Sequence, residues 1–379
     1  MRRPSQRPLW AAVALFALGP AAGCELGEAE DAAPRARPQV TAPPQPAARI
    51  LMRRLGPGTR PGSARVSSAL VTMRDDGSDL RVVVEAPVGD VEGFGSPVWS
   101  PDGKRVYFVG ALALRAGDGF HYVESDAFVV DARGGEPRRI TTSRDVDGAV
   151  PSPDGRTLLV TRDEHPGKRP FTSGLWLTDA DGGNERRLLP PEDGQLDSAG
   201  SWSPDGRTIA FTRCSQLLPD ASGLIENTCA IYTVSADGSG LRELAERSSG
   251  PAYSPDGRLI AFVSDRDEHG RHATGNDEEM FSSELYVMEA DGDDQRRLTE
   301  SESLDEKTSA WSPDGSRIAY TRTGPARFKD QVMVMHADGT CPTVLVGDAS
   351  DAGVETPSFY ATAWRPGRVT GRLAPLACG

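Results

Sequence analysis

The chain is short of basic residues, of histidine and of long apolar runs, and each shortage removes a class of function. Its 379 residues carry 42 Lys and Arg against 55 Asp and Glu, a formal charge of −13. A chain of that sign is unsuited to neutralising phosphates, so nucleic acid is not an expected partner. There are five histidines. His121, His165 and His336 are scattered, and His269 and His272 sit among acids in residues 265–283 at a spacing that matches no metal motif. No G-x-S-x-G pentapeptide, Gly-rich phosphate loop or C-x-x-C pair occurs. Catalytic, cofactor-binding and metal-ligating residues are therefore all expected to be absent. The longest apolar run, Leu9 to Leu18, falls short of the ~20 residues that span a membrane.

That run belongs to a leader. MRRPSQR supplies Arg2, Arg3 and Arg7, the apolar run follows, and small residues precede Cys24. The order basic, apolar, small is that of a secretory signal over residues 1–23. Small residues directly before a cysteine resemble the lipobox of bacterial lipoproteins, with Ala21 where leucine is usual. The resemblance implies lipidation of Cys24 and membrane attachment through that anchor, facing periplasm or cell surface. Residues 25–48 have little apolar bulk and many prolines, and read with Cys24 as a disordered tether.

Beyond residue 49 one pentapeptide keeps returning. WSPDG stands at 99–103, 202–206 and 310–315 (as AWSPDG), PSPDG at 151–155 and YSPDG at 253–257, about fifty residues apart. Ser-Pro-Asp-Gly is a turn: Pro presets φ, Asp bonds locally, and Gly accepts the left-handed exit. An apolar, β-branched run follows each copy, as in TLLVTR, TIAFTR and RIAYTR. Between copies lies a second signal, a strand, an Asp-Gly or Gly-Gly turn and another strand, as in LWLTDADGGNERRLL and LYVMEADGDDQRRL. Each repeat is thus four strands, and four-stranded units at this period indicate a β-propeller. Asp102, Asp154, Asp205, Asp256 and Asp314 read as turn residues, and Trp99, Trp202, Tyr253, Trp311 and Trp364 as wedges between repeats.

These motifs closely resemble the propeller repeats of TolB and its relatives, over about residues 49 to 367. The expectation is an all-β, six-bladed propeller over residues 49–379, closed by three N-terminal strands and one C-terminal strand. RILMRR at 49–54 looks like a second strand whose first strand, ending at Trp364, comes from the other end of the chain. Cysteines test the closure. Besides Cys24 there are Cys214, Cys229, Cys341 and Cys378, an even number for an exported chain. Cys214 and Cys229 fall in one loop. Cys341 follows a short turn, and Cys378 emerges on the same side, so the expected disulfides are Cys214–Cys229 and Cys341–Cys378.

The face opposite the SPDG turns varies in sequence. Its connections between repeats hold sixteen acids and three bases, Arg144, Arg247 and Lys307. Such a rim attracts a cation, calcium among them, or a basic protein segment. Glu302, Asp305, Glu306, Asp348, Asp351 and Glu355 are the candidate partner-binding residues. The resemblance implies a non-enzymatic envelope scaffold, since TolB-type proteins bind an envelope lipoprotein and parts of a trans-envelope machine. Those proteins also carry a small α/β domain before the propeller, and here only the tether precedes residue 49. The expected state is a monomer that binds an envelope protein. A ligand or glycan sensor, or a hydrolase or lyase with its site at the channel mouth, is the alternative.

Overall fold

A computed structural model describes residues 48–57, 66–116, 121–164, 166, 171–190, 192–216, 227–268, 271–273, 279–301, 304–324, 330–347, 358–367, 373, 375, 376 and 378. The described residues are all-β, with no helix among them. In chain order the strands are β1 (Arg49–Pro57), β2 (Val66–Arg74), β3 (Arg81–Glu85), β4 (Gly93–Trp99), β5 (Arg105–Ala116), β6 (His121–Asp131) and β7 (Arg138–Arg139). Then come β8 (Val146–Pro151), β9 (Thr157–Asp163), β10 (Ser173–Asp179), β11 (Arg186–Arg187), β12 (Gln195–Trp202), β13 (Thr208–Gln216), β14 (Asn227–Ser235) and β15 (Arg242–Glu246). The rest are β16 (Ser248–Tyr253), β17 (Leu259–Ser264), β18 (Arg271–Ala273), β19 (Glu279–Phe281), β20 (Glu284–Glu289), β21 (Arg296–Arg297), β22 (Asp305–Trp311), β23 (Arg317–Thr323), β24 (Gln331–His336), β25 (Thr343–Val346) and β26 (Ser358–Trp364).

The arrangement is propeller-like. Four antiparallel sheets have four strands each, in the orders β26-β1-β2-β3, β4-β5-β6-β7, β16-β17-β20-β21 and β22-β23-β24-β25. Strands β8 to β15 form one larger sheet, in which two such units are joined by a single parallel pair, Ser173 with Leu196. Residues 265–283, read from sequence as a loop, contain a small hairpin of β18 and β19. The first strands of successive units touch in a closed cycle, β4, β8, β12, β16, β22, β26 and back to β4.

The two signature turns explain this cycle. In each SPDG copy the Ser hydroxyl donates to the Asp Oδ1 and accepts the N–H of the residue that starts the next strand. For Ser203 these bonds are 2.6 Å to Asp205 and 2.9 Å from Thr208. The Asp-Gly turn acts between units. Gly182, at φ +96°, lies so close to the neighbouring unit that a Cβ there would stand 2.2 Å from the Ile140 carbonyl oxygen. Gly77, Gly134, Gly238 and Gly339 repeat the contact, against the carbonyls of Leu345, Val83, Leu188 and Leu298, and Gly292 sits in the same way against the Leu244 side chain. Only glycine combines that φ with that approach.

Strand side chains alternate between the two faces of a sheet, so one strand can feed two cores. In β1, Ile50 and Met52 pack with Val332 and Val334 of β24 on one side, while Leu51 packs with Phe94, Trp99 and Phe108 on the other. The tryptophans are wedges, as expected: the Trp202 indole N–H donates to the Val150 carbonyl, and that of Trp311 to Ala252, each across a junction. Strands β7, β11 and β21 are two-residue Arg-Arg edges, a short charged margin that discourages further strand pairing.

Candidate interaction face and disulfides

Each first strand carries a register shift near its middle, in β4 at Gly95/Val98, β8 at Val146/Gly148, β12 at Ala199/Ser201, β16 at Ser249/Ala252 and β22 at Lys307/Ser309. Pairing of β26 with β1 has one too, at Leu51/Met52. A bulge of this kind bends the strand and re-aims its side chains. The half beyond it begins at the face opposite the SPDG turns.

There a repeated ion pair fixes the strand starts. Arg162, Arg213 and Arg322 end the TR runs of the second strands. Arg162 binds Asp145 through Nε and Nη2 at 3.0 and 2.8 Å. Arg213 binds Asp197 at 2.7 Å through both. Arg322 places Nε and Nη2 on the Glu306 Oε1 at 2.9 and 2.7 Å. The guanidinium groups also lie over rings, Arg162 on Trp176, Arg213 on Phe211 and Tyr232, and Arg322 on Tyr320. Where Ser264 replaces the arginine, Arg266 covers Phe262 and Tyr286 instead.

This overturns part of the sequence expectation. Glu306 is not a rim acid: it is 0% exposed, and its place in β22 turns it inward beneath Arg322. Its Oε2 has no hydrogen-bond partner. Burial pushes its carboxyl up to about 7, against the pull of Arg322 and with the help of Glu284 and Asp305. Asp197 is buried in the same way. Asp305 is half-buried, accepts the Ser283 N–H at 3.0 Å and lies 4.0 Å from the Lys307 ammonium. Glu302, Asp348, Asp351 and Glu355 lie outside the described residues, as do Cys24 and His269.

The three bases of the connections are all engaged with acids. Arg144 pairs with Glu124 at 2.6 Å, Arg247 with Asp265 and Glu268 at 3.0 and 2.7 Å, and Lys307 with Asp305. Glu92, Asp147, Asp193 and Glu246 remain exposed, with no ion pair to a described residue, and so does Glu192, which accepts a hydrogen bond from the Gln195 amide. Water reaches Asp147, yet the protein crowding it, together with Asp163 and Asp145, pushes its carboxyl up to about 7. A 240 Å³ cavity opens on this side, bounded by Thr228, Cys229, Arg247, Ser249 and Ser283. A larger one, 620 Å³, lies by the SPDG turns around Trp202, Asp154 and Asp205. Sequence reasoning, which treated that face as uniform, gave no sign of it.

Both expected disulfides are present. Cys214 and Cys229 face each other directly across β13 and β14 and close a separation of 15 residues, a cross-link that contributes about 3 kcal/mol. Cys341 binds Cys378, 37 residues on. Disulfides persist in oxidising compartments, and the pair fits an exported protein. His336, which sequence reasoning dismissed, stands beside the second bridge: its ring nitrogen and the two sulfurs lie within 4.8 Å of one another. The spacing His336-x4-Cys341 was its only signal, and the third member, Cys378, lies 37 residues beyond Cys341.

No protein-family model matches the chain. An uncharacterized protein of Agrobacterium fabrum is 28% identical over 298 residues, spanning 75% of this chain and 83% of the relative. Among solved structures, TolB of Acinetobacter baumannii superposes with a TM-score of 0.56 at 20% identity, covering 84% of this chain and 67% of that one. A TolB-type protein of Agrobacterium tumefaciens gives 0.51 at 22% identity, with 83% and 99% covered. With the repeated turns and the cyclic contacts, these likenesses show that the chain has the fold of the TolB-type β-propellers.

Proposed function

We propose that this chain is an exported, non-enzymatic scaffold, a monomeric six-bladed propeller held at a membrane by lipid on Cys24, which binds a basic segment of an envelope protein through its acidic face. Six blades account for the six turn glycines, five after Asp and Gly134 after Arg133, each against the unit before it, with Gly77 on Leu345 joining first to last. The larger sheet is then two blades in contact through Ser173 and Leu196. At three of the outer strands, β7, β11 and β21, the two-residue Arg-Arg edges leave little strand edge for a second copy.

The observation that carries the binding reading is the spent charge of the bases. Arg144, Arg247 and Lys307 are each consumed by an acid, while Glu92, Asp147, Asp193 and Glu246 are left over. Uncompensated acids on one face attract cationic partners at range. Cross-linking in native membranes tests the reading, comparing the wild type with a variant neutralised at those four positions and with Cys24→Ala. The expected result is a discrete cross-linked partner, lost in the first variant, and release of the second from the membrane fraction. Identical cross-linking and fractionation in all three would refute it.

One observation favours a second reading. The 240 Å³ cavity is rich in hydroxyls, from Thr228, Ser248, Ser249, Ser264 and Ser283. Such a lining suits a polyhydroxylated ligand, which would make the face a sensor.

A further inference from the structure

The junction of the C-terminal segment with the turn after β24 brings together three soft ligands from distant parts of the sequence. His336 ends β24, Cys341 follows the turn at φ +55°, and Cys378 arrives from the chain end. The imidazole nitrogen and both sulfurs lie within 4.8 Å of one another, a spread that a single ion can bridge with small side-chain movements. The His336 side chain makes no hydrogen bond to a described residue; its backbone N–H donates to the Thr340 carbonyl and its own carbonyl accepts the Gly339 N–H. Cys378 is exposed and the other two are half-buried, so the cluster is open to solvent. The Cys214–Cys229 bridge has no histidine grouped with it among the described residues.

We propose that His336, Cys341 and Cys378 form, whenever their disulfide is reduced, a three-ligand site for a thiophilic cation of the zinc(II) class. Two thiolates and an imidazole fill three corners of a tetrahedron, and water takes the fourth. Disulfide and metal exclude each other. A dithiol reductant passes two electrons to the Cys341–Cys378 bond and is itself oxidised to a disulfide, leaving two thiols. Binding of a divalent ion then releases two protons and forms two metal–sulfur bonds and one metal–nitrogen bond. Either cross-link ties the chain end to the same turn, so a metal holds this junction before the bridge has formed or after it is broken. The site does not depend on what the acidic face binds.

The test uses the full chain, reduced with a phosphine and freed of reductant without air. Cobalt(II) reports thiolate ligation by its charge-transfer absorption, and zinc(II) affinity is read by competition with a chromophoric chelator. The expected result is one tightly bound ion per chain in the reduced protein and none at this site in the oxidised protein. His336→Ala is expected to weaken zinc binding at least tenfold, because one of three protein ligands is lost. That variant keeps Cys24 and all four other thiols, so metal held by thiols elsewhere does not respond to it. Zinc is also expected to raise the melting temperature of the reduced wild type more than that of His336→Ala, while the two oxidised proteins melt alike. Absence of stoichiometric binding, or equal affinity in wild type and His336→Ala, would overturn the proposal. Cys378→Ser gives a second check: loss of the cobalt–thiolate band supports the site, and its retention contradicts it.

Discussion

At the scale of single residues, the fold depends on positions where one atom too many cannot be placed. Gly182 has both a left-handed φ and a neighbouring carbonyl in the way of a Cβ, whereas Gly89 has φ +57° and nothing within 4 Å. Gly89→Ala is therefore expected to cost about 1 kcal/mol, the left-handed backbone term alone. Gly182→Ala is expected to cost roughly 3 kcal/mol or more, since the junction between units must also open. Urea denaturation of the two variants measures the difference, and equal losses would refute the interlock. Glu306 makes a second prediction. Its folded carboxyl titrates near 7 against an ordinary 4.5. Between those values the folded state holds a proton that the unfolded state has released, so this group's contribution is complete below pH 4.5 and is lost as pH rises through 7. Glu306→Gln removes that decline. Stability measured at pH 5 and pH 8 is expected to fall less in the variant than in the wild type. An unchanged fall would show that Glu306 does not titrate there.

At the scale of elements, the chain ends are what hold the assembly together. Strand β1 pairs along its whole length with β2, and from Ile50 to Leu55 with β26, which comes from more than three hundred residues away. Its side chains feed two separate cores. Removing residues 49–54 is expected to lower the melting temperature of the whole protein in one cooperative step, seen by calorimetry. A truncated protein that melts like the wild type would mean that β1 is not part of the closure. The pairing of β1 with β26 was legible in the sequence because RILMRR shares the pattern of the other second strands and needs a partner. The bulges in the first strands were not legible: they bring positive φ at Ser96 and Thr308, residues that do not advertise it. The hairpin of β18 and β19 was hidden for a similar reason, three-residue strands being too short to show a period.

At the scale of the whole molecule, repeats made the architecture readable and the function much less so. Turn residues and apolar runs recur with the blades, and a ring follows from their number. Charge on a face does not repeat, and its effect depends on which acids are already paired. Counting acids along the connections placed Glu306 and Asp197 on the rim, where the structure has them buried under Arg322 and Arg213. The arginines responsible were visible in the TR runs, but their partners lie some sixteen residues earlier, on another strand. What is left is a smaller set of unpaired acids. The most direct test of the account is the affinity of a lysine-rich peptide for the full chain, measured by calorimetry across ionic strength. The wild type is expected to bind, and to weaken steeply as salt shortens the screening length to about 10 Å at 0.1 M and below. With Glu92→Gln, Asp147→Asn, Asp193→Asn and Glu246→Gln combined, four exposed pairs of about 0.2–1 kcal/mol each are removed. The variant is therefore expected to bind roughly tenfold more weakly while melting no lower than the wild type, since Asp147→Asn also removes a carboxylate that its crowded site disfavours. An affinity that ignores both salt and the four substitutions would contradict the acidic face as the binding surface.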